Sequence, residues 1–430
     1  MSKTIILKEY EEITKNKNQA NNKVKYNEIL DNANCDLDKL QSYLKCHNLD
    51  TILKVTRHGI MADSWVGVIK YKKHQFQILP KLICDNDNAG NILRNLIFML
   101  SYVKKLQIKT SDIAKLSTAQ NPFLEVLIRE YANSLFECLK RITPKKYVRE
   151  EDNLNYLKGK IKFTENIRYN NVNQAKFYCE YDEYSENNIL NQLFLFVSTC
   201  LYNIANDSFN KKILKFIINY YNDIKLVRFD KFKVEKIRLS RNQESFRKPF
   251  NLAKMFIENT SVDLSKNKFE NITLIWDMNK LFEEFIYEFM KRKEDKLGWT
   301  IIAQNGKRLL ETKEGKRRNS YVDIYAESSV TKQKIIIDTK YKEFKNLSDV
   351  ANADIFQVST YCLLHNTNHA VLLYPQFGEH KLELPQHYLN NGKQNYRIDF
   401  KTVNLQYDYI GTKENLENIK DEIEKILKEE

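Results

Sequence analysis

The spacing of apolar and polar residues changes several times along the chain, and each change marks a different kind of element. Residues 65–71 and 74–79 alternate with a period of two, which predicts a β-hairpin within the first ninety residues. Helical spacing then takes over at residues 92–106 and again at 122–141. The chain is therefore predicted to begin with strands and to continue mainly with helices.

The middle of the chain keeps the helical spacing and then loses it. Further helices are predicted from about residue 185 and over residues 211–226. Residues 227–265 are polar and weakly patterned, so we expect a domain boundary within them. The predicted division is into residues 1–260, β-rich to about residue 90 and helical or mixed over 91–260, and residues 261–430.

The last third of the chain is predicted to alternate between helices and strands in the order αβββαβ. A charged helix follows at residues 415–430. The predicted fold class is therefore a multidomain α+β or α/β protein. The predicted elements are a helix at 278–291, strands at 299–304, 321–327 and 334–338, a helix at 349–365, and strands at 370–374 and 396–405.

Composition indicates a globular protein with a surplus of positive charge. The 430 residues are 42% hydrophobic with only 10 Gly and 6 Pro, which predicts two or three domains without long disordered linkers. Lys and Arg number 69 against 56 Asp and Glu, a net charge of +13 that favours a polyanionic partner. The alternative is that the surplus only reflects a Lys- and Asn-rich composition.

The cysteines and the hydropathy of the chain exclude several classes of protein. The seven cysteines form no CxxC pair, which argues against structural zinc, an iron–sulfur cluster and a disulfide framework. No signal peptide opens the chain and no apolar run reaches membrane-spanning length. We therefore expect a cytoplasmic protein that does not bind membranes.

The strongest chemical signal comes from two neighbouring predicted strands. Asp323 lies in YVDIYAE, and Asp338 and Lys340 follow an apolar run in KIIIDTKYK. Burying such charges costs several kcal/mol unless they are paired or bind a metal. Asp323 and Asp338 are the expected metal ligands, with the Thr339 carbonyl as a third, and oxygen ligands suit Mg²⁺ or Mn²⁺.

Lys340 is expected to face the same side of its strand as Asp338, because the two residues are two apart. There it could orient or help to deprotonate a water molecule, or neutralise charge that develops on a phosphate. Structural ion pairing between these side chains is the alternative interpretation of the same pattern.

Two further features lie at positions where they could join this site. Gln357 and Tyr361 are four residues apart on a predicted helix and therefore share one face. Glu283 lies within an otherwise apolar helix start and could act as an outer or water-mediated metal ligand. Plain solvation of Glu283 or its neighbour Glu284, and a polar helix rim at Gln357 and Tyr361, are the alternatives.

The pattern D-x(14)-D-x-K resembles the core of PD-(D/E)xK restriction-endonuclease-like nucleases, although Val322 replaces the usual proline. The Gln357–Tyr361 pair resembles that of RecB-like members of this superfamily. The resemblance implies that the αβββαβ segment folds as a PD-(D/E)xK core, and that these five residues (Asp323, Asp338, Lys340, Gln357 and Tyr361) form its catalytic site.

An ordered series of motifs is similar to the McrC family, the nuclease subunits of McrBC modification-dependent restriction systems. It extends over most of the chain, through the segments GVIKYKKHQFQILPKL (67–82), YLKGKI (156–161), FYCEYDEYSENNILNQLF (177–194), MNKLFEEFI, YVDIY, IIIDTKYK and DIFQVSTYCLL.

This resemblance implies a type IV restriction subunit that cuts double-stranded, modified DNA and works with an AAA+ GTPase, McrB. In that family the N-terminal half binds the motor ring and stimulates GTP hydrolysis, so residues 1–260 are expected to be partner-binding. The chain has no G-x(4)-GK[ST] loop, so GTP is expected only through the partner subunit. Two alternatives remain: a non-cutting activator that plugs the ring, and a stand-alone RecB-like nuclease.

Overall fold

A computed structural model describes most of the chain and divides it into two compact units. The described residues are 3–14, 24–27, 36–57, 59–71, 74–81, 89–103, 122–172, 174–258, 260–263, 268–311, 317–376, 387–390, 395–405 and 413–427. One unit joins residues 1–118 to residues 275–430, and the other consists of residues 119–274. The N-terminal strands and the αβββαβ segment thus lie in one unit, while the predicted functional division at residue 260 stays a prediction.

The strands are numbered here in chain order. They are β1 (Lys3–Lys8), β2 (Glu12–Thr14), β3 (Val24–Tyr26), β4 (Leu53–Val55), β5 (Gly59–Ala62), β6 (Trp65–Tyr71), β7 (His74–Leu79), β8 (Lys146–Leu154), β9 (Lys160–Ile161), β10 (Phe177–Ser185), β11 (Thr260–Asp263), β12 (Lys268–Asp277), β13 (Trp299–Glu311), β14 (Arg317–Ser328), β15 (Lys334–Thr339), β16 (His369–Pro375), β17 (His387–Asn390) and β18 (Asn395–Val403).

The helices are referred to by their bounds. The α-helices are Leu37–Cys46, Ala89–Val103, Pro122–Leu139, Phe163–Asn170, Ile189–Ile204, Ser208–Tyr220, Lys231–Glu235, Arg247–Glu258, Met278–Arg292, Glu294–Leu297, Asn352–His365 and Lys413–Leu427, with 3-10 turns at Arg241–Phe246 and Leu347–Asp349. Among the helices that the structure describes, none has both the length and the apolarity of a membrane-spanning segment.

The N-terminal strands of the first unit form the hairpin that the sequence predicts, with additional partners. β6 and β7 pair antiparallel, and β1 adds to β7 in parallel. A second sheet has the order β3–β2–β5–β4. Gln75 and Gln77 are buried although they alternate with the apolar residues Phe76 and Ile78, which shows that both faces of β7 are covered.

Gly59, in the second sheet, is a position where the fold requires glycine. A Cβ atom there would lie 1.9 Å from the carbonyl oxygen of Ile13 on the neighbouring strand β2. No side chain fits at that distance, so the close approach of β2 and β5 depends on this residue.

The C-terminal part of the first unit has the predicted αβββαβ order within a six-stranded sheet, β13–β14–β15–β16–β18–β17. β13, β14 and β15 pair antiparallel, whereas β15, β16 and β18 run parallel. A crossover between parallel strands needs a long connection, and the helix Asn352–His365 provides it between β15 and β16. The carboxyl end of β15 therefore lies beside that of β16.

The helix Met278–Arg292 begins where the N-terminal strands approach the larger sheet. Its apolar positions at spacings of three and four are buried, as its pattern predicts. The side chain of Asp277 caps it by accepting a hydrogen bond from the Asn279 amide. The amide of Met278 also donates to the Ser64 carbonyl at 3.1 Å, which ties the helix start to the turn before β6.

The second unit combines the sheet β8–β10–β9 with a group of helices. Asn188 is the N-cap of the helix Ile189–Ile204, and its Nδ2 also donates to the carbonyl of Pro144. Asn191, which is fully buried, donates to the same carbonyl at 2.8 Å. The Asn-rich segment that resembles the McrC family therefore has a structural role here: it joins a helix start to the loop before β8.

Residues 227–265 are polar overall, and no helix was predicted in them. The structure nevertheless has the amphipathic helix Arg247–Glu258 there, with Phe250, Phe256 and Ile257 buried. The domain boundary expected within these residues stays a prediction.

Candidate active site

Adjacent strands bring the two predicted metal-binding acids together. Asp323 lies on β14, and Asp338 and Thr339 end β15, which pairs with β14. Oδ2 of Asp323 accepts two hydrogen bonds from Thr339, from its amide at 2.9 Å and its hydroxyl at 3.0 Å. The Asp323 carboxylate is thus held in a fixed orientation beside the end of β15.

Asp338 is the most buried acid of the group, with 1% of its surface exposed. Burial, and next the negative charge of Asp323, raise its pKa to about 7, although Lys340 acts in the opposite direction. Within the part of the chain that the structure describes, Oδ1 of Asp338 accepts no hydrogen bond. A buried carboxylate oxygen without a donor is a position that a cation could fill.

Lys340 directly follows β15, and its ammonium group lies among acids. Its Nζ is 2.8 Å from Oδ2 of Asp338 and 3.6 Å from Oδ1 of Asp354. Burial lowers the pKa of Lys340, but the attraction of these carboxylates outweighs it and leaves the pKa above its ordinary value. Lys340 is therefore a cation in the metal-free protein rather than a base.

The predicted pair on the helix Asn352–His365 joins the same group. Oε1 of Gln357 accepts a hydrogen bond from Nζ of Lys340 at 3.1 Å, and its Nε2 donates to the Tyr361 hydroxyl at 2.6 Å. Gln357 thereby connects the lysine to a tyrosine that is 6% exposed. The structure places both side chains at the site, while their catalytic roles stay predictions.

Asp354 is a member of this group that was missed in the sequence. It faces Lys340, as stated above, and its Oδ2 binds Nζ of Lys342 at 2.5 Å. The available signal was its position three residues before Gln357, which puts the two side chains on one face of the helix. Asp354 competes with Asp338 for the charge of Lys340.

Glu283, on the helix Met278–Arg292, lies at the edge of the group. It is partly buried, whereas its neighbour Glu284 is exposed, so the structure selects Glu283 of the two. Burial and the charge of Asp323 raise the pKa of Glu283, and a hydrogen bond from Nε2 of the Gln304 side chain opposes this. The field of Asp323 thus reaches Glu283, as an outer position would require.

The oxygen donors of this group match only part of the shell that a divalent cation needs. Among the described residues, no cluster of three or more His, Cys, Asp or Glu side chains is arranged to hold a metal ion. The group offers two carboxylates, Asp323 and Asp338, and the carbonyl of Thr339, which directly follows Asp338. Mg²⁺ usually takes one or two carboxylates and completes its shell with water and substrate phosphate, so this set fits it.

The segment after Lys340 reaches the N-terminal sheet. Tyr341 is 5% exposed, and its hydroxyl donates to Oε2 of Glu9, just after β1, at 2.8 Å. The same Glu9 oxygen accepts from the amide of Lys81, after β7, at 3.0 Å. No feature of the sequence singled out Glu9, because the contact joins residues 332 positions apart.

Comparison with known proteins gives a consistent result. The family model described as "McrBC 5-methylcytosine restriction system component" matches residues 60–375. No curated protein sequence matches the chain significantly.

Two solved structures are similar to the chain. One is the refined half-complex from the tetradecameric assembly of Thermococcus gammatolerans McrB AAA+ hexamers with bound McrC, with a TM-score of 0.73 and 21% identity over 98% of this chain and 100% of that chain. The other is the cryo-EM structure of the Thermococcus gammatolerans McrBC complex, with a TM-score of 0.52 and 26% identity over 67% and 88% of the two chains. The first likeness shows a shared fold.

Proposed function

The chain belongs to the McrBC family of 5-methylcytosine restriction system components, and from this membership we propose that it is the McrC-type DNA endonuclease subunit of a GTP-dependent restriction complex. The observation that carries the nuclease part is the buried Asp338 carboxylate: among the described residues Oδ1 has no hydrogen-bond donor, and a lysine cation lies 2.8 Å from Oδ2. A buried carboxylate oxygen normally has a donor, so its lack here supports a cation ligand.

In this proposal the αβββαβ segment is a PD-(D/E)xK nuclease core. Asp323 and Asp338 hold Mg²⁺, or Mn²⁺, with the Thr339 carbonyl, and Glu283 acts from an outer position through water. The bound cation supplies a Lewis acid for the scissile phosphate and lowers the pKa of a water molecule near it.

Lys340, Gln357 and Tyr361 act on the charge of the reaction rather than on the cation. Lys340, whose ammonium group lies between Asp338 and Asp354, would attract the phosphate and offset the negative charge of the transition state. Gln357 fixes the direction of the ammonium group through its amide oxygen, and Tyr361 fixes Gln357.

The partner in this proposal is an AAA+ GTPase oligomer of the McrB type. Support comes from the half-complex with McrB AAA+ hexamers, which contains a chain of similar fold over nearly the whole length of this one. The substrate is double-stranded, modified DNA, and GTP enters only through the partner. The net charge of +13 is consistent with a polyanionic substrate.

The test is the substitution Asp338→Ala in the complex with the purified GTPase partner, GTP, Mg²⁺ and methylcytosine-containing DNA. We expect cleavage to be lost while stimulation of GTP hydrolysis persists, because the substitution removes a proposed metal ligand and leaves residues 1–260, the proposed partner-binding region, unchanged. Glu343→Ala is the matched control, since Glu343 is an exposed acid five residues away that pairs only with Lys345 among the described residues. It should cut as the wild type does.

Other outcomes of the same experiment favour other functions. GTPase stimulation by a wild-type chain that cuts no DNA would indicate a non-cutting activator of the ring. Robust cutting without partner or nucleotide would indicate a stand-alone nuclease. Cleavage by Asp338→Ala at the wild-type rate would remove the catalytic assignment.

A further inference from the structure

Glu9 is a buried acid that the proposed chemistry does not use. It is 3% exposed, and one carboxylate oxygen accepts hydrogen bonds from both the Lys81 amide and the Tyr341 hydroxyl. The other oxygen, Oε1, accepts none among the described residues. Burial of a carboxylate with so few donors destabilises the fold, so its presence needs a reason other than stability.

The charges around Glu9 do not remove this cost. Burial is the main cause that raises the pKa of Glu9 to about 7, and the negative charge of Asp277 adds to it. The Lys81 amide, the Tyr341 hydroxyl and the Lys81 charge act in the opposite direction without balancing the effect. The ammonium of Lys81 lies over the ring of Tyr10, 4.5 Å from its centroid.

Tyr341 is the side chain through which Glu9 can reach the candidate active site. It directly follows Lys340, whose own amide donates to the Leu373 carbonyl of β16 at 2.9 Å. The Tyr341 ring packs at a tilt against Phe282, with 6.1 Å between the ring centroids. Phe282 directly precedes Glu283, and Tyr341 directly follows Lys340. The contact between the two rings therefore links the two segments that carry Glu283 and Lys340.

The hydrogen bond of the Tyr341 hydroxyl therefore restrains the position of the backbone just before it, which carries Asp338, Thr339 and Lys340. A buried ring has little freedom once its hydroxyl is bound, because both ends of the side chain are fixed. Catalytic side chains must be held to within about 0.5 Å by the residues around them. The Tyr341 hydroxyl donates to Glu9, which directly follows β1 of the N-terminal sheet.

We propose that Glu9 is a positioning residue of the nuclease site, which acts through Tyr341 to hold the Asp338–Lys340 segment in its active geometry. This inference rests on the proposed nuclease function. In this role Glu9 makes the N-terminal sheet a structural component of the active site. The ends of β1 and β7 then affect both cation binding and DNA cleavage.

The experiment compares Glu9→Ala, Tyr341→Phe and the double variant in the full chain with its GTPase partner. Two quantities are measured: the cleavage rate at saturating DNA and Mg²⁺, and the affinity of the chain alone for Mn²⁺ by calorimetry. We expect each single variant to lose about 10- to 100-fold in both quantities, as is typical for residues that orient metal ligands. The losses in the double variant should not exceed those in the more impaired single variant, because both substitutions break the same chain of contacts.

Two further variants separate positioning from folding. Glu9→Gln keeps an oxygen that accepts both hydrogen bonds and should recover most of the cleavage rate. Glu11→Ala is the matched control: this acid, two residues away, binds the Lys8 amide at 2.7 Å and pairs with Lys25 at 3.0 Å. It should leave cleavage and Mn²⁺ affinity unchanged.

Each result decides something. Wild-type cleavage and wild-type Mn²⁺ affinity in Glu9→Ala, with only a lower unfolding midpoint, would overturn the proposal and make Glu9 a purely structural residue. Additive losses in the double variant would overturn the route through Tyr341. If the wild type binds Mn²⁺ but cuts no DNA, the proposed function fails instead, and the Mn²⁺ affinities still decide whether Glu9 positions the site.

Discussion

The ammonium group of Lys340 lies 2.8 Å from Oδ2 of Asp338, and the pair is asymmetric. Asp338 is almost fully buried, whereas the lysine side chain keeps 20% of its surface. Burial and Asp323 raise the pKa of the acid, while the surrounding acids raise that of the lysine despite its burial. The lysine therefore holds its proton in the pH range where the acid loses its own.

This asymmetry predicts that the charge of Lys340 matters for cutting and not for cation binding. Lys340→Met keeps most of the aliphatic stem and removes the charge. We expect the cleavage rate to fall by about 10²- to 10³-fold, the usual cost of one lost electrostatic stabiliser. Mn²⁺ affinity measured by calorimetry should not fall, because a neighbouring cation has been removed. Weaker Mn²⁺ binding would show that Lys340 supports the metal ligands instead.

A second prediction concerns the cost of keeping two neighbouring acids at a buried site. Asp338→Asn removes one of them, so in EDTA at pH 8 the variant should unfold at a higher denaturant concentration than the wild type. Added Mn²⁺ should stabilise the wild type and leave the variant unchanged, because a ligand stabilises only the form that binds it. Equal stabilisation of both proteins by Mn²⁺ would place the cation elsewhere.

The sequence could predict the part of the site that is local in the chain. Asp323 and Asp338 lie on two strands joined by a short turn and Lys340 directly follows the second, so their alternation and order are enough to bring them together. Gln357 and Tyr361 share a helix face for the same reason. Glu9 could not be predicted, because β1 meets the end of β15 only through the packing of distant segments, and a single Glu after a short strand has no distinguishing pattern.

The helices and strands, too, could be predicted where their pattern is local and not where they depend on a distant partner. The helix Met278–Arg292 was predicted to within one residue because its apolar positions are regular, whereas β13 extends to Glu311 beyond the predicted residue 304. That extension, residues 305–311, is mostly exposed and lacks an alternating apolar pattern, and it forms a strand because it pairs with β14. Propensity does not reveal a strand whose stability comes from its partner.

A third prediction tests the structural role of the Asn-rich segment in the second unit. Asn188→Ala removes the N-cap of the helix Ile189–Ile204 and leaves the Pro144 carbonyl with one donor fewer. The expected loss is roughly 2 kcal/mol of unfolding free energy, since a cap and a buried hydrogen bond are removed together. Glu186→Ala, which removes an exposed side chain two residues earlier and its surface ion pair with Lys145, is the control and should cost less. Equal losses in chemical denaturation would contradict the capping role.

The pH dependence of stability tests the burial of Glu9 directly. Its pKa is raised from 4.5 to about 7 in the folded protein, so the folded state holds the proton more tightly than the unfolded state. The stability that this proton contributes is fully present below pH 4.5 and is lost as the pH rises through 7. Glu9→Gln cannot titrate, so its stability relative to the wild type should increase by roughly 3 kcal/mol between pH 5 and pH 8.

Tyr341→Phe should change the pH dependence of the unfolding free energy in the direction opposite to Glu9→Gln. The Tyr341 hydroxyl is one of the hydrogen-bond donors that lower the pKa of Glu9, so its removal should raise that pKa further. The unfolding free energy of Tyr341→Phe should therefore fall more steeply than that of the wild type over the same pH range. In Glu9→Gln/Tyr341→Phe this extra slope should disappear, because the titrating group is absent. A slope that persists in the double variant would mean that another acid responds to Tyr341, and that Glu9 is not the group whose proton the fold retains.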